Sequence, residues 1–88
     1  MNELISQNAP VFEEMTNEMT GYQMNFLKAV ANGISTGLSK ADVISKYKLG
    51  SSANVAANQK IMIAKDLVSE TPEGLEITDK IFEKWLLL

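Results

Sequence analysis

The residues whose types could do chemistry are few. Glu13 and Glu14 are adjacent acids, and Asp42, Asp66 and Asp79 lie scattered along the rest of the chain. Paired carboxylates can hydrolyse a substrate or hold a cation, but only at spacings that bring their oxygens to one centre, and none of these spacings matches such a mechanism. The chain has no Cys and no His, which removes thiolate nucleophiles, disulfides, the usual zinc sites and the commonest base that titrates near neutrality. Helix capping and helix-dipole complementarity account for Glu13, Glu14, Asp42 and Asp79 without any reaction. The residue inventory therefore predicts a non-enzyme with no catalytic, cofactor-binding or metal-ligating residue and no small-molecule substrate.

Binding chemistry has better candidates. Lys40, Lys46, Lys48 and Lys60, with Ser51, Ser52 and Asn54, form a basic and hydroxylic set suited to phosphate contact. Against it, the net charge is −3 and no arginine is present, so bidentate base readout lacks its favoured side chain. Such a lysine set also fits an ordinary solvated face. A second set is apolar. Val11, Phe12, Met15 and Met19 recur at helical spacing, and Leu86, Leu87 and Leu88 close the chain beside Trp85, the pattern of a contact with another polypeptide. Met24 falls on the far side of its helix from Phe26, while methionine elsewhere reads most simply as core filler.

The elements that must carry these residues follow from periodicity and caps. Eighty-eight residues make one domain with one modest core. Residues 1–7 carry no strong signal and are expected to be flexible. An N-terminal helix over 8–19 starts at an Asn8 cap with Pro10 in its first turn, where a missing N–H costs nothing. Residues 20–66 hold three core helices. The first is capped by Thr20 and turns Tyr22, Phe26, Ala29 and Val30 inward. The second opens on a capping-box variant, Ser39-Lys40-Ala41-Asp42, with Leu38 stapled onto Val43. The third is capped by Ser51 and places Val55, Gln59, Met62 and Ile63 inward, leaving Ala53, Ala56, Ala57, Lys60 and Ala64 outside. Residues 67–77 read as two strands around Thr71-Pro72-Glu73-Gly74, the residue preference of a type I turn. Thr78 or Asp79 then caps a last helix over 78–88 with Ile81, Phe82, Trp85 and Leu86 on one face.

The predicted fold class is therefore mainly α with a small β-hairpin. It is a winged helix-turn-helix whose tight turn is Leu49-Gly50-Ser51, extended by an extra N-terminal helix and a C-terminal helix. Three stretches carry a resemblance: Thr20-Gly21-Tyr22-Gln23-Met24-Asn25-Phe26-Leu27-Lys28-Ala29-Val30-Ala31, then Tyr47-Lys48-Leu49-Gly50-Ser51-Ser52, then Asp79-Lys80-Ile81-Phe82-Glu83-Lys84-Trp85-Leu86. Together, over about Pro10 to Leu86, they resemble the C-terminal winged-helix region of prokaryotic AAA-family P-loop ATPases of the archaeal and Bacteroides type. The resemblance implies a module that follows an ATPase domain in a longer protein, and this chain has no Gly-x-x-x-x-Gly-Lys-Ser/Thr of its own. Members of that family often carry Gln or Arg where this sequence has Ala56 and Ala57, and an apolar residue at Gln59.

A helix-turn-helix conventionally lays its second helix in the DNA major groove. Here that helix would present four alanines and Lys60, and the wing carries Glu70, Glu73 and Glu76 with no positive residue, which repels phosphate. The leading expectation is a protein-interaction module that packs on its own ATPase domain or another subunit; the alternative is the DNA-binding domain of a transcription regulator. No run approaches the roughly 20 apolar residues of a membrane span, no secretory signal is evident, and a cytoplasmic location is expected. Periodicity leaves open whether the N-terminal helix closes its own core or swaps onto a second copy.

Overall fold

A computed structural model describes residues 2–88, with side chains from Ile5 onward. The elements run α1 (Asn2–Thr16), α2 (Gly21–Ala31), α3 (Ala41–Tyr47), α4 (Ser52–Ala64), β1 (Val68–Thr71), β2 (Gly74–Ile77) and α5 (Lys80–Leu86). This is a mostly helical domain with one antiparallel hairpin, as the sequence predicts.

Helix α2 is the axis of the core because its apolar residues recur at the spacing that keeps them on one side. Phe26, Leu27, Ala29 and Val30 are buried there against Val55 and Met62 of α4, Val68, Leu75 and Ile77 of the hairpin, and Phe82 and Leu86 of α5. Leu38 and Leu49, on the connections flanking α3, are buried in the same cluster. Helix α3 itself contributes only half-buried Val43, Ile44 and Tyr47.

The caps are largely as expected. Thr20 Oγ1 accepts from the Gln23 N–H at 3.1 Å while Gln23 Oε1 accepts from the Thr20 N–H at 3.0 Å, a full capping box. Ser51 Oγ accepts from the Asn54 N–H, and Asp79 Oδ1 accepts from the N–H groups of Ile81 and Phe82. Each such cap stabilises its helix by about 1 kcal/mol. The box expected at Ser39–Asp42 does not form: Lys40 occupies the cap position and makes no side-chain capping bond.

Two boundaries also differ. Helix α1 begins at Asn2 instead of Asn8, so Pro10 lies inside it and not in its first turn. The missing proline N–H forfeits one intrahelical bond, but Ile5, ahead of it in the helix, is buried. Helix α4 ends at Ala64, where Asp66 turns left-handed (φ 58°) and the Leu67 N–H reaches the Met62 carbonyl at 3.0 Å. That closure satisfies an orphan carbonyl at the helix end.

The wing is anchored by backbone. Val68 pairs with Ile77 and Thr71 with Gly74 around the two-residue turn Pro72-Glu73. Val68, Leu75 and Ile77 face the core, while Ser69 and Glu76, paired across the hairpin, face away. The Leu75 N–H donates to the Ser35 carbonyl at 2.9 Å, tying the wing to the α2–α3 connection. Gly74 makes this possible. A β-carbon there would stand 2.5 Å from the Ser35 oxygen, and its φ of +125° disfavours other residues.

Helix α1 closes the core of its own chain. Phe12, only 3% exposed, lies with its ring centroid 5.1 Å from Phe82 and 5.7 Å from Trp85, and Phe82 and Trp85 are themselves 5.8 Å apart. These tilted and stacked separations are those that aromatic quadrupoles favour.

Candidate functional site

The helix-turn-helix is built from α3, the turn 48–51 and α4. The break after Tyr47 falls on Lys48, left-handed at φ 57°, not on the following glycine alone. The Leu49 N–H then closes onto the Ile44 carbonyl at 3.0 Å, and the Asn25 amide of α2 donates to the Lys48 carbonyl at 3.0 Å. The turn is thus held from both sides. Gly50, at φ +91°, lets the Asn54 amide and the Tyr22 ring come close to its α-carbon.

Of the predicted nucleic-acid contacts, the fold gathers Lys48, Ser51 and Asn54 at this turn, with Ser52 exposed beside them. Lys40 lies at the other end of α3, its side chain folded over Gly37. Lys46 sits 5.5 Å from the Tyr47 ring centroid, and Lys60 points out from α4. Six of the eight lysines but only one of the eleven carboxylate residues, Asp42, lie between Gly21 and Lys65. The helix-turn-helix is therefore cationic, and the rest of the chain is strongly acidic. The signal was present in the sequence as charge segregation along the chain, which the small net charge masks.

The outward side of α4 carries exposed Ala53, Ala56, Ala57, Lys60 and Ala64, with Ile61 also exposed. The buried amide of this helix is Asn58 and not Gln59, which is half-buried. The inward residues Val55, Asn58 and Met62 follow i, i+3, i+7. Among the described residues no buried side-chain nitrogen or oxygen lacks a partner. On the wing, Glu76 forms an exposed pair with Lys80 at 3.5 Å, a contact worth little in water. Glu70 lines a shallow recess with Gln59, Thr71 and Ser35.

The predicted protein contacts divide. Phe12 and Leu86, expected at a contact surface, are buried within the domain, where the chain's own aromatic and aliphatic side chains cover them. Met19 is half-buried against the core. Val11 (53% exposed), Met15, Leu87 and Leu88 (85% exposed) stay in solvent. Tyr22, expected in the core, is 49% exposed. It sits one turn before Phe26 on α2, but at that level α2 has reached the helix-turn-helix turn, and the ring lies over it instead of beneath it. A groove lined by Tyr22, Ala41, Ile44, Ser45, Lys48 and Gly50 runs along one side of the ring, and Thr20, Gly21 and Asn25 border the other. Helical phase alone cannot locate the end of a core; a tyrosine just after a cap is the only hint.

Among the described residues no group of three or more His, Cys, Asp or Glu side chains is placed to hold a metal ion, and no helix is long and apolar enough to cross a membrane. No curated protein and no solved structure matches the chain. A family model described as "Probable winged helix domain" matches residues 10–88, from within α1 through the wing to α5, and the chain belongs to that winged-helix family.

Proposed function

We propose that this winged helix is an interaction module that docks on a partner polypeptide through the outer side of α1 and the end of α5. The resemblance to AAA-type ATPases suggests a P-loop domain of the same parent protein as that partner. One observation carries the reading. Val11 and Met15 are exposed on α1, and Leu87 and Leu88 just past the end of α5, the two helices being locked together through Phe12, Phe82 and Trp85. Apolar anchors held on a rigid base lose little entropy on binding, and the outward face of α4 offers almost no group that reads base edges.

The test mixes the domain with a separately produced P-loop domain of its parent protein and measures binding calorimetrically. Val11→Asp with Met15→Asp, and separately Leu87→Asp with Leu88→Asp, should weaken binding at least about tenfold while leaving the circular dichroism unchanged. Binding that ignores both pairs of substitutions would sink the proposal.

The concentration of lysines on the helix-turn-helix favours a second reading, a DNA-binding regulator domain contacting phosphates through Lys40, Lys46, Lys48 and Lys60 with Ser51, Ser52 and Asn54. Duplex binding would then fall steeply between low and physiological salt. No binding even at low salt eliminates it.

A further inference from the structure

Two exposed patches flank the start of α2 and differ in sign. The groove beside Tyr22, with Ala41, Ile44 and Gly50, is apolar and has Lys48 as its only charged lining residue. On the other side of the same corner, Glu14, Asn17, Glu18, Gln23 and Lys65 line a mostly polar recess to which Met15 and Met19 add the apolar part. Val11 extends it by one turn of α1 and is exposed. The groove thus offers a lysine and the recess two carboxylates.

We infer that a second copy of this chain covers these patches. The Val11–Met15 face of each copy seats in the Tyr22–Lys48 groove of the other, with Glu14 and Glu18 facing Lys48. This rests on the interaction-module reading and puts a second copy, in place of the P-loop domain, on the α1 half of that surface, leaving the end of α5 to that domain. For the dimer to close instead of growing into an open chain, the two-fold axis must pass near Thr20–Gln23, between the two patches, so that both contacts form at once. Closure matters for size. A specific interface buries roughly 800 Å² per partner, so a domain of 5454 Å² total surface needs both contacts together. The apolar lining favours a polypeptide over a phosphate backbone, since a groove with one lysine gains little from counterion release.

Sedimentation velocity on the 88-residue chain tests this. At roughly 20 mM salt the mass should be twice the 9.7 kDa of the monomer, and association should weaken about tenfold near 500 mM as the opposed charges are screened. Lys48→Glu alone and Glu14→Lys with Glu18→Lys alone should each give monomers. Mixed one to one they should pair again, because each contact then carries opposite charges. All three positions are exposed, so unchanged circular dichroism is expected and checks the fold.

A wild-type chain that stays monomeric to roughly 1 mM overturns the inference, as does failure of the mixed variants to pair. If that chain is monomeric and Lys48→Glu abolishes duplex binding, the groove belongs to nucleic acid and the inference also falls. If it is monomeric but the α1 substitutions still abolish binding to the P-loop domain, self-pairing falls and the interaction module stands.

Discussion

Replacing Phe12 by Ala asks whether α1 is part of the domain or an appendage. The side chain is 3% exposed and touches two rings of the same chain. Truncating a buried Phe costs about 3–5 kcal/mol, of which roughly 1 kcal/mol reflects aromatic geometry. At about 0.05–0.15 kcal/mol per residue, a domain of this length has roughly 4–13 kcal/mol in total, so the substitution removes about a quarter of it or more. With a urea m-value of about 1 kcal/mol/M, the midpoint should fall by about 3–5 M. Trp85, whose ring lies 5.7 Å from Phe12, should shift its emission to the red as water enters. The neighbouring control, Val11→Ala, alters a largely exposed side chain and should stay within about 0.5 kcal/mol of wild type. A midpoint loss for Phe12→Ala under about 1 M, with Trp85 emission unchanged, would refute the seating of α1 on α5.

Gly74→Ala should destabilise by at least about 2 kcal/mol, since the β-carbon meets the Ser35 carbonyl at a φ few side chains adopt; chemical denaturation measures it, and amide exchange at Leu75 should quicken first. Lys48→Gly relieves a left-handed non-glycine residue and should stabilise by about 0.5–1 kcal/mol in the same assay, while weakening any self-association at low salt. Asn58→Ala removes packed atoms of a buried side chain and should cost about 1 kcal/mol, against under about 0.5 kcal/mol for Gln59→Ala, reversing the order that assigning Gln59 to the core implies. Thermal melts of the two variants side by side decide that order.

Local signals determined the element list. Caps at Thr20, Ser51 and Asp79, the Pro72–Gly74 turn and the 3.6-residue spacing in α2 and α5 are short-range physics, and each acts through a hydrogen bond or dihedral within a few residues. The order of those elements was enough to read a winged helix, and the missing Cys and His were enough to narrow the chemistry. What depended on contacts across the chain was not legible. Phase shows which residues share a face but not how far the face stays covered, so Tyr22 read as core and Asn58 did not. Periodicity gave α1 an apolar stripe without saying which member faces inward; the rings of Phe82 and Trp85, some seventy residues later, take Phe12 and leave Val11 and Met15 outside. The tertiary structure alone decided that division, because burial is a property of neighbours brought together by the fold, and the neighbours here come from opposite ends of the sequence.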